Sequence, residues 1–172
     1  MLCFSSVWWA SVVPSGLILL NLLYLCSPAV EFLAPGLRRD SRSGDNGFLL
    51  YPVAILLLVF LSFGLMNDIA VGGIGLLPLA YGDGLASLAG RKWPWGRFRI
   101  FGTQKTLTGC AAMFAASFIT LLIYSTIFNS QFQIVDSALI AAAATLAEAL
   151  TPGGFDNITV PAFAVSVYLL LR

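Results

Sequence analysis

The sequence predicts an all-α fold: a polytopic bundle of about six membrane-spanning helices that forms a single integral-membrane domain over residues 1–172. Three observations carry this expectation. Hydrophobic residues make up 59% of the chain and charged residues 10%, whereas ordinary soluble domains run about 45–50% apolar and about 25% charged. The apolar residues fall in runs that approach the roughly 20 residues needed to cross a bilayer core. The Lys and Arg residues collect in alternate linkers between those runs.

The first run, Phe4 to Leu25, has no Lys or Arg before it. A secretory signal carries a positive n-region, so this run reads as a first membrane helix. The linker from Ser27 to Gly47 holds Arg38, Arg39 and Arg42. Phe48 to Met66 and Ile69 to Ala89 follow as the second and third spans, joined by an Asn67-Asp68 turn free of Lys and Arg. The linker from Gly90 to Lys105 carries Arg91, Lys92, Arg97, Arg99 and Lys105, and leads into a fourth span from Leu107 to Phe128. After the loop Asn129 to Asp136, again without Lys or Arg, come Ser137 to Leu150 and Ile158 to Leu171. These two are short enough to be core or re-entrant helices as well as spans. With six spans, both basic linkers face one side and both Lys/Arg-free loops the other, which is the positive-inside pattern. The same alternation puts the Thr151 to Asn157 turn on the basic, cytoplasmic side. Trp8, Trp9, Trp93 and Trp95 fall near span ends, where an amphipathic ring suits the headgroup region.

Composition also excludes chemistry. Nine Lys/Arg against eight Asp/Glu give a net charge of +1, which supplies neither the field of a nucleic-acid binder nor an acidic tail. With no histidine, a Ser-His-Asp triad and His-containing zinc or haem sites are ruled out for this chain. Cys3, Cys26 and Cys110 are odd in number and widely spaced. They read as apolar filler, not as a disulfide or metal framework.

Three polar elements are candidates for function. Asp83, in LAYGDGLASLAG, puts a carboxylate inside or at the end of an apolar span, where it costs about 2.5–3.5 kcal/mol. It is either a functional group or a polar residue in a short glycine turn. The basic stretch RKWPWGRFRIFGTQKT could wrap an anion, with Lys105 and Thr106 at a helix start suited to phosphate, or could touch anionic lipid headgroups. It is not a Walker A loop, because Gln104 stands where that motif has glycine before its Lys. The third element, ATLAEALTPGGFDNITVP, places Glu148 near the end of an apolar helix. Asp156 and Asn157 open the next helix, where Asp156 is either a site residue or a simple N-cap. Together the carboxylates, cations and glycines make up what a phosphoryl-transfer site needs: carboxylates for Mg²⁺ and positive charge for the moving phosphate.

GDGLASLAGR, then QKTLTG, then ATLAEAL and FDNITVP resemble, in order and spacing, the polyprenol kinase family, which uses CTP to phosphorylate phytol, farnesol and dolichol. The resemblance runs from Gly82 to Pro161, weakly from Leu37 to Ala80, and looks most like the phytol kinases of plastids and cyanobacteria. It implies that Gly82, Asp83 and Gly90, Lys105, Thr106 and Gly109, and Glu148, Asp156 and Asn157 surround the nucleotide. In the roles that follow, Asp83 and Asp156 hold Mg²⁺, Arg91 and Lys105 neutralise the triphosphate, Thr106 binds an oxygen, and Glu148 is a base for the alcohol. The implied partners are a nucleotide, CTP, and a lipid alcohol entering from the bilayer, with no nucleic acid polymer. Diacylglycerol or dolichol phosphorylation by the same site is the alternative, as is a silent lipid-binding or transport protein. Two positions depart from the family. The Arg-Lys-x-x-His element is missing, so either the N-terminal family helices lie outside this chain or the chain has diverged, and Thr108 replaces a glutamate in the Lys-Ser/Thr element.

Overall fold

The computed structural model describes residues 7–26, 47–128, 134–152 and 154–172. Helices occupy all six apolar runs, so the helical class is observed. The helices are α1 (Val7–Cys26), α2 (Gly47–Val59), α3 (Ile69–Leu77), α4 (Gly84–Lys92), α5 (Leu107–Ile127), α6 (Ile134–Leu150) and α7 (Asp156–Leu171). The expectation of helix alone needs one correction. Arg97–Ile100 (β1) and Thr103–Thr106 (β2) form a two-stranded antiparallel hairpin within the basic linker. Its turn, Phe101-Gly102, has φ of 46° and 82°, the paired positive values of a tight hairpin turn, and the alternation Arg-Phe-Arg-Ile fits a strand with one face inward.

Two helices widen into π-type turns. α2 continues through Phe60–Leu65, and α3 through Pro78–Asp83, so that α3 and α4 are one unbroken helix from Ile69 to Lys92. Pro78 heads the second of these turns. A proline there has no N–H to give to the ladder, and the hydrogen-bonding pattern loosens after it. Asp68 starts α3 by accepting the Ala70 amide at 2.9 Å, and Thr106 starts α5 by accepting that of Gly109 at 3.0 Å, each satisfying an amide the helix cannot.

The helix α6 lies between α5 and α7, while α7 also packs on α2 and α3, and α1 rests on α2. Ala141, Ala144 and Ala147 of α6 are buried beside Met113 and Leu121 of α5 and Val160 and Ala164 of α7. Small residues on a central helix let its neighbours approach closely, which is how helices associate where lipid removes the usual hydrophobic drive. Outside, Leu20, Leu57, Phe60, Ile119, Ile123, Leu146 and Phe163 are exposed, an apolar surface far beyond what a soluble monomer presents. Ile69–Lys92 and Leu107–Ile127 are long and apolar enough to cross a bilayer, and Val7–Leu23, Leu49–Leu65 and Asp156–Leu171 are shorter apolar helices. Arg38, Arg39 and Arg42 lie outside the described residues, as does most of the loop after Phe128.

Candidate functional site

The three polar elements meet at one end of the bundle, around a cavity of about 870 Å³ lined by residues of α4, the hairpin, α5, α6 and the start of α7. Each element reaches it for a local reason. Asp83 sits in the π-type turn with helical φ and ψ of −63° and −42°, so it belongs to a continuous helix and the glycine-turn alternative falls. It lines the cavity from this turn, and π-type turns are frequent at functional sites. Glu148 comes from the last turn of α6 and is only 7% exposed. Asp156 opens α7, but the N-cap position belongs to Phe155, which makes no side-chain cap. Asp156 instead accepts the neighbouring Asn157 amide at 3.0 Å and keeps its other oxygen for Lys105. Asp156 is thus the first residue of α7, not its N-cap, and it lines the cavity.

The hairpin register sets Lys105. Phe98 pairs with Lys105 and Ile100 with Thr103, so these four share the half-buried face, while Arg97, Arg99 and Gln104 lie on the more exposed one, from which Arg97 and Gln104 still reach the cavity rim. The Lys105 ammonium donates to Glu148 Oε1 at 2.6 Å and to Asp156 Oδ2 at 3.4 Å. Both ends of the shorter pair are largely buried. Burial alone would pull the Lys105 ammonium below its ordinary value, but the Glu148 hydrogen bond and the charges of Glu148 and Asp156 outweigh it and hold the value raised.

One carboxylate oxygen from each of Asp83, Glu148 and Asp156 lies within 4.8 Å of the others. Oxygens on opposite sides of a Mg²⁺ stand about 4.2 Å apart, from bonds of about 2.1 Å, so small side-chain rotations would bring this set onto one ion. The donor set fits: hard oxygens, three negative charges, and a cation, Lys105, already drawn into the gap.

Other expected site residues divide into two groups. Gly90, Arg91, Thr106, Gly109 and Asn157 line the cavity. Arg91 is held along α4 by Ser87, to Oγ at 2.8 Å and to the carbonyl at 3.2 Å. Thr106 uses its hydroxyl oxygen as the α5 cap. A methyl on Gly90 would stand 2.7 Å from that oxygen, so Gly90 is what lets α4 pass the cap. The Asn157 side-chain nitrogen donates to the carbonyls of Gly154 (3.1 Å) and Gly47 (3.3 Å), tying the start of α7 to that of α2. Gly82 is placed elsewhere. It is buried against Ser117 and Met113 of α5 and is absent from the cavity lining, which makes it a helix-packing glycine.

Several lining residues, Arg97 and Gln104 of the hairpin among them, were not singled out from the sequence as site residues. Cys110, expected as filler, lies on the cavity wall, as do Ser87 and Thr103. The spacing from Ser87 to Arg91, one helical turn, could have marked Ser87. Nothing in the sequence marks Cys110.

The chain is 38% identical over 133 residues to a phytol kinase of Synechocystis sp., covering 75% of this chain and 55% of that one. It is 30% identical over 184 aligned positions to a probable chloroplastic phytol kinase of Triticum aestivum, covering 97% and 59%. Against a dolichol kinase of Saccharomyces cerevisiae it is 34% identical over 118 residues, covering 63% and 22%. The chain thus spans little more than half the length of the phytol kinases it matches. No family model and no solved structure matches it. The order of the GDGLASLAGR, QKTLTG and FDNITVP elements, their convergence on one cavity, and these relatives together lead to one assignment: the chain belongs to the polyprenol kinase family, with phytol kinase and dolichol kinase among its relatives.

Proposed function

We propose that this chain carries the phosphoryl-transfer site of a CTP-dependent kinase for a long-chain isoprenoid alcohol, phytol or geranylgeraniol. The observation that carries the reading is the meeting of Asp83, Glu148 and Asp156 with Lys105 and Arg91 at one cavity, drawn from stretches as far apart in sequence as Asp83 and Asp156. Transfer of a phosphoryl group asks mainly for positioning and charge neutralisation, and this cavity offers little else. A divalent ion held by Asp83 and Asp156 would offset negative charge on the triphosphate. Arg91, fixed by Ser87, and Lys105 supply positive charge from the chain itself. The alcohol oxygen bonds to the terminal phosphorus as the bond to the leaving diphosphate breaks, and the hydroxyl proton passes to Glu148.

The lipid chain would lie against apolar helix faces, with its hydroxyl at the end of the bundle where the cavity opens. In this reading the six helical runs cross the membrane, with the hairpin and the α6–α7 turn on the cytoplasmic face. The Synechocystis and wheat relatives support a cyanobacterial or plastid membrane. A transporter would carry its polar groups near mid-depth between matched helix breaks, whereas these groups gather at one end. The decisive assay gives purified protein γ-labelled CTP or ATP with phytol, geranylgeraniol, farnesol, dolichol and diacylglycerol. Label entering phytol or geranylgeraniol from CTP supports the proposal. Preferred labelling of dolichol or diacylglycerol would reassign the acceptor, and preference for ATP would reassign the donor.

A further inference from the structure

Lys105 is expected to face a triphosphate, yet its ammonium is engaged by two carboxylates, at 2.6 Å and 3.4 Å. We infer that Lys105 is an exchangeable counter-ion of the carboxylate cluster: it holds Glu148 and Asp156 until a divalent cation takes the cluster, and its ammonium then turns to the anion that accompanies the cation. The inference rests on the reading of this cavity as a metal-dependent phosphoryl-transfer site.

Space and charge argue for exchange. The three carboxylate oxygens lie within 4.8 Å of one another, and the ammonium stands within hydrogen-bond reach of two of them. A divalent cation bonded to the Asp83 and Asp156 oxygens at about 2.1 Å would stand close to the ammonium, compete with it for the Asp156 carboxylate and repel it. Both cannot keep the gap. Lysine suits a movable role, because its charge rides on a flexible four-carbon stem and has no fixed fork of donors. The two contacts are also unequal, so Asp156 is the carboxylate more readily given up. In the absence of an ion, three carboxylates facing one cavity would repel one another and bear a desolvation cost, which a resident ammonium offsets. The hairpin fits this role as well, since its register turns Lys105 onto the half-buried face while Arg99 stays on the exposed one.

The test uses the full chain in detergent and Mn²⁺ alone, with free Mn²⁺ read by its paramagnetic resonance signal. Lys105→Met keeps the apolar stem and removes the competing charge, so it should bind Mn²⁺ about tenfold or more tightly than wild type. Asp83→Asn and Asp156→Asn should weaken binding. In wild type, saturating Mn²⁺ should raise acetylation of Lys105 by acetic anhydride several-fold, read by peptide mass spectrometry. This second measurement holds even where Lys105→Met folds poorly. Equal or weaker Mn²⁺ binding by Lys105→Met, or unchanged acetylation of Lys105, overturns the exchange. If wild type still binds Mn²⁺ and Asp83→Asn does not, the phosphoryl-transfer reading survives that loss. Failure of both wild type and Lys105→Met to bind Mn²⁺ overturns the two together.

Discussion

Gly82→Ala separates a packing glycine from a nucleotide-facing one. A methyl at this position would overlap Ser117 Oγ and stand 2.7 Å from Met113 Sδ. Comfortable contacts are about 3.5–4.0 Å, so the neighbours would have to retreat by roughly 1 Å. Ser117 and Met113 are completely buried on α5, which leaves them little room to do so. Overpacking of this kind costs about 1–3 kcal/mol, and a chain of this size loses about 2–4 °C of melting temperature per kcal/mol. Melting in detergent should therefore fall by roughly 2–12 °C. Ser117→Ala in the same chain removes the nearest atom and should restore part of the loss, a coupling that independent sites would not show. The KM for nucleotide of the folded fraction should stay unchanged. Gly90→Ala makes the contrast, because its methyl would press on the Thr106 oxygen that caps α5 beside the cavity, and its nucleotide KM should rise. A Gly82→Ala protein that melts like wild type but binds nucleotide poorly would refute the packing assignment.

Further outcomes follow from the cavity. Asp83→Asn keeps the shape and removes the charge, so transfer should vanish while membrane insertion and melting stay close to wild type; near-normal turnover at saturating Mg²⁺ would remove Asp83 from the metal set. Lys105→Gln should lower kcat by about 100- to 1000-fold, the scale of one lost transition-state contact, whereas the exposed Arg97→Gln should cost far less, and equal small losses would assign the hairpin to membrane electrostatics. With native cysteines removed, single cysteines at Arg97 and Gly154 should react with an impermeant reagent from one side of sealed vesicles and one at Met66 from the other. Labelling of all three from a single side would break the proposed crossing of α3 and α4.

Much of the helical layout could be read directly from the apolar runs. The run Ile69 to Ala89 differs from the helix Ile69–Lys92 by one turn, and Leu107 to Phe128 matches α5 almost residue for residue. Residues that repel water over 20 positions leave few alternatives to a helix. The hairpin was less legible, because five basic residues between Gly90 and Lys105 read as a linker and masked the period-two pattern in Arg-Phe-Arg-Ile. In the candidate site, charge in an apolar setting marked Asp83 and Glu148, where an ionisable group is costly, whereas Lys105 was marked by its place beside Thr106 at a helix start. Its inner pairing was not legible. That Lys105 meets carboxylates before any phosphate depends on α6 and α7 placing Glu148 and Asp156 opposite β2, and no local pattern encodes this. Gly82 misled for a related reason, because a glycine serving a ligand and a glycine serving a helix crossing look identical in sequence.

The central claim, that these carboxylates drive phosphoryl transfer to a lipid alcohol, is tested most directly by one side-by-side measurement. Wild-type chain and Asp83→Asn, reconstituted at equal amounts in vesicles containing phytol, are given γ-labelled CTP and Mg²⁺, and the lipid fraction is resolved. Labelled phytyl monophosphate should form with wild type, no labelled lipid with Asp83→Asn, and none with wild type once Mg²⁺ is chelated. Equal labelling by both proteins, or labelling that persists without a divalent ion, would contradict it.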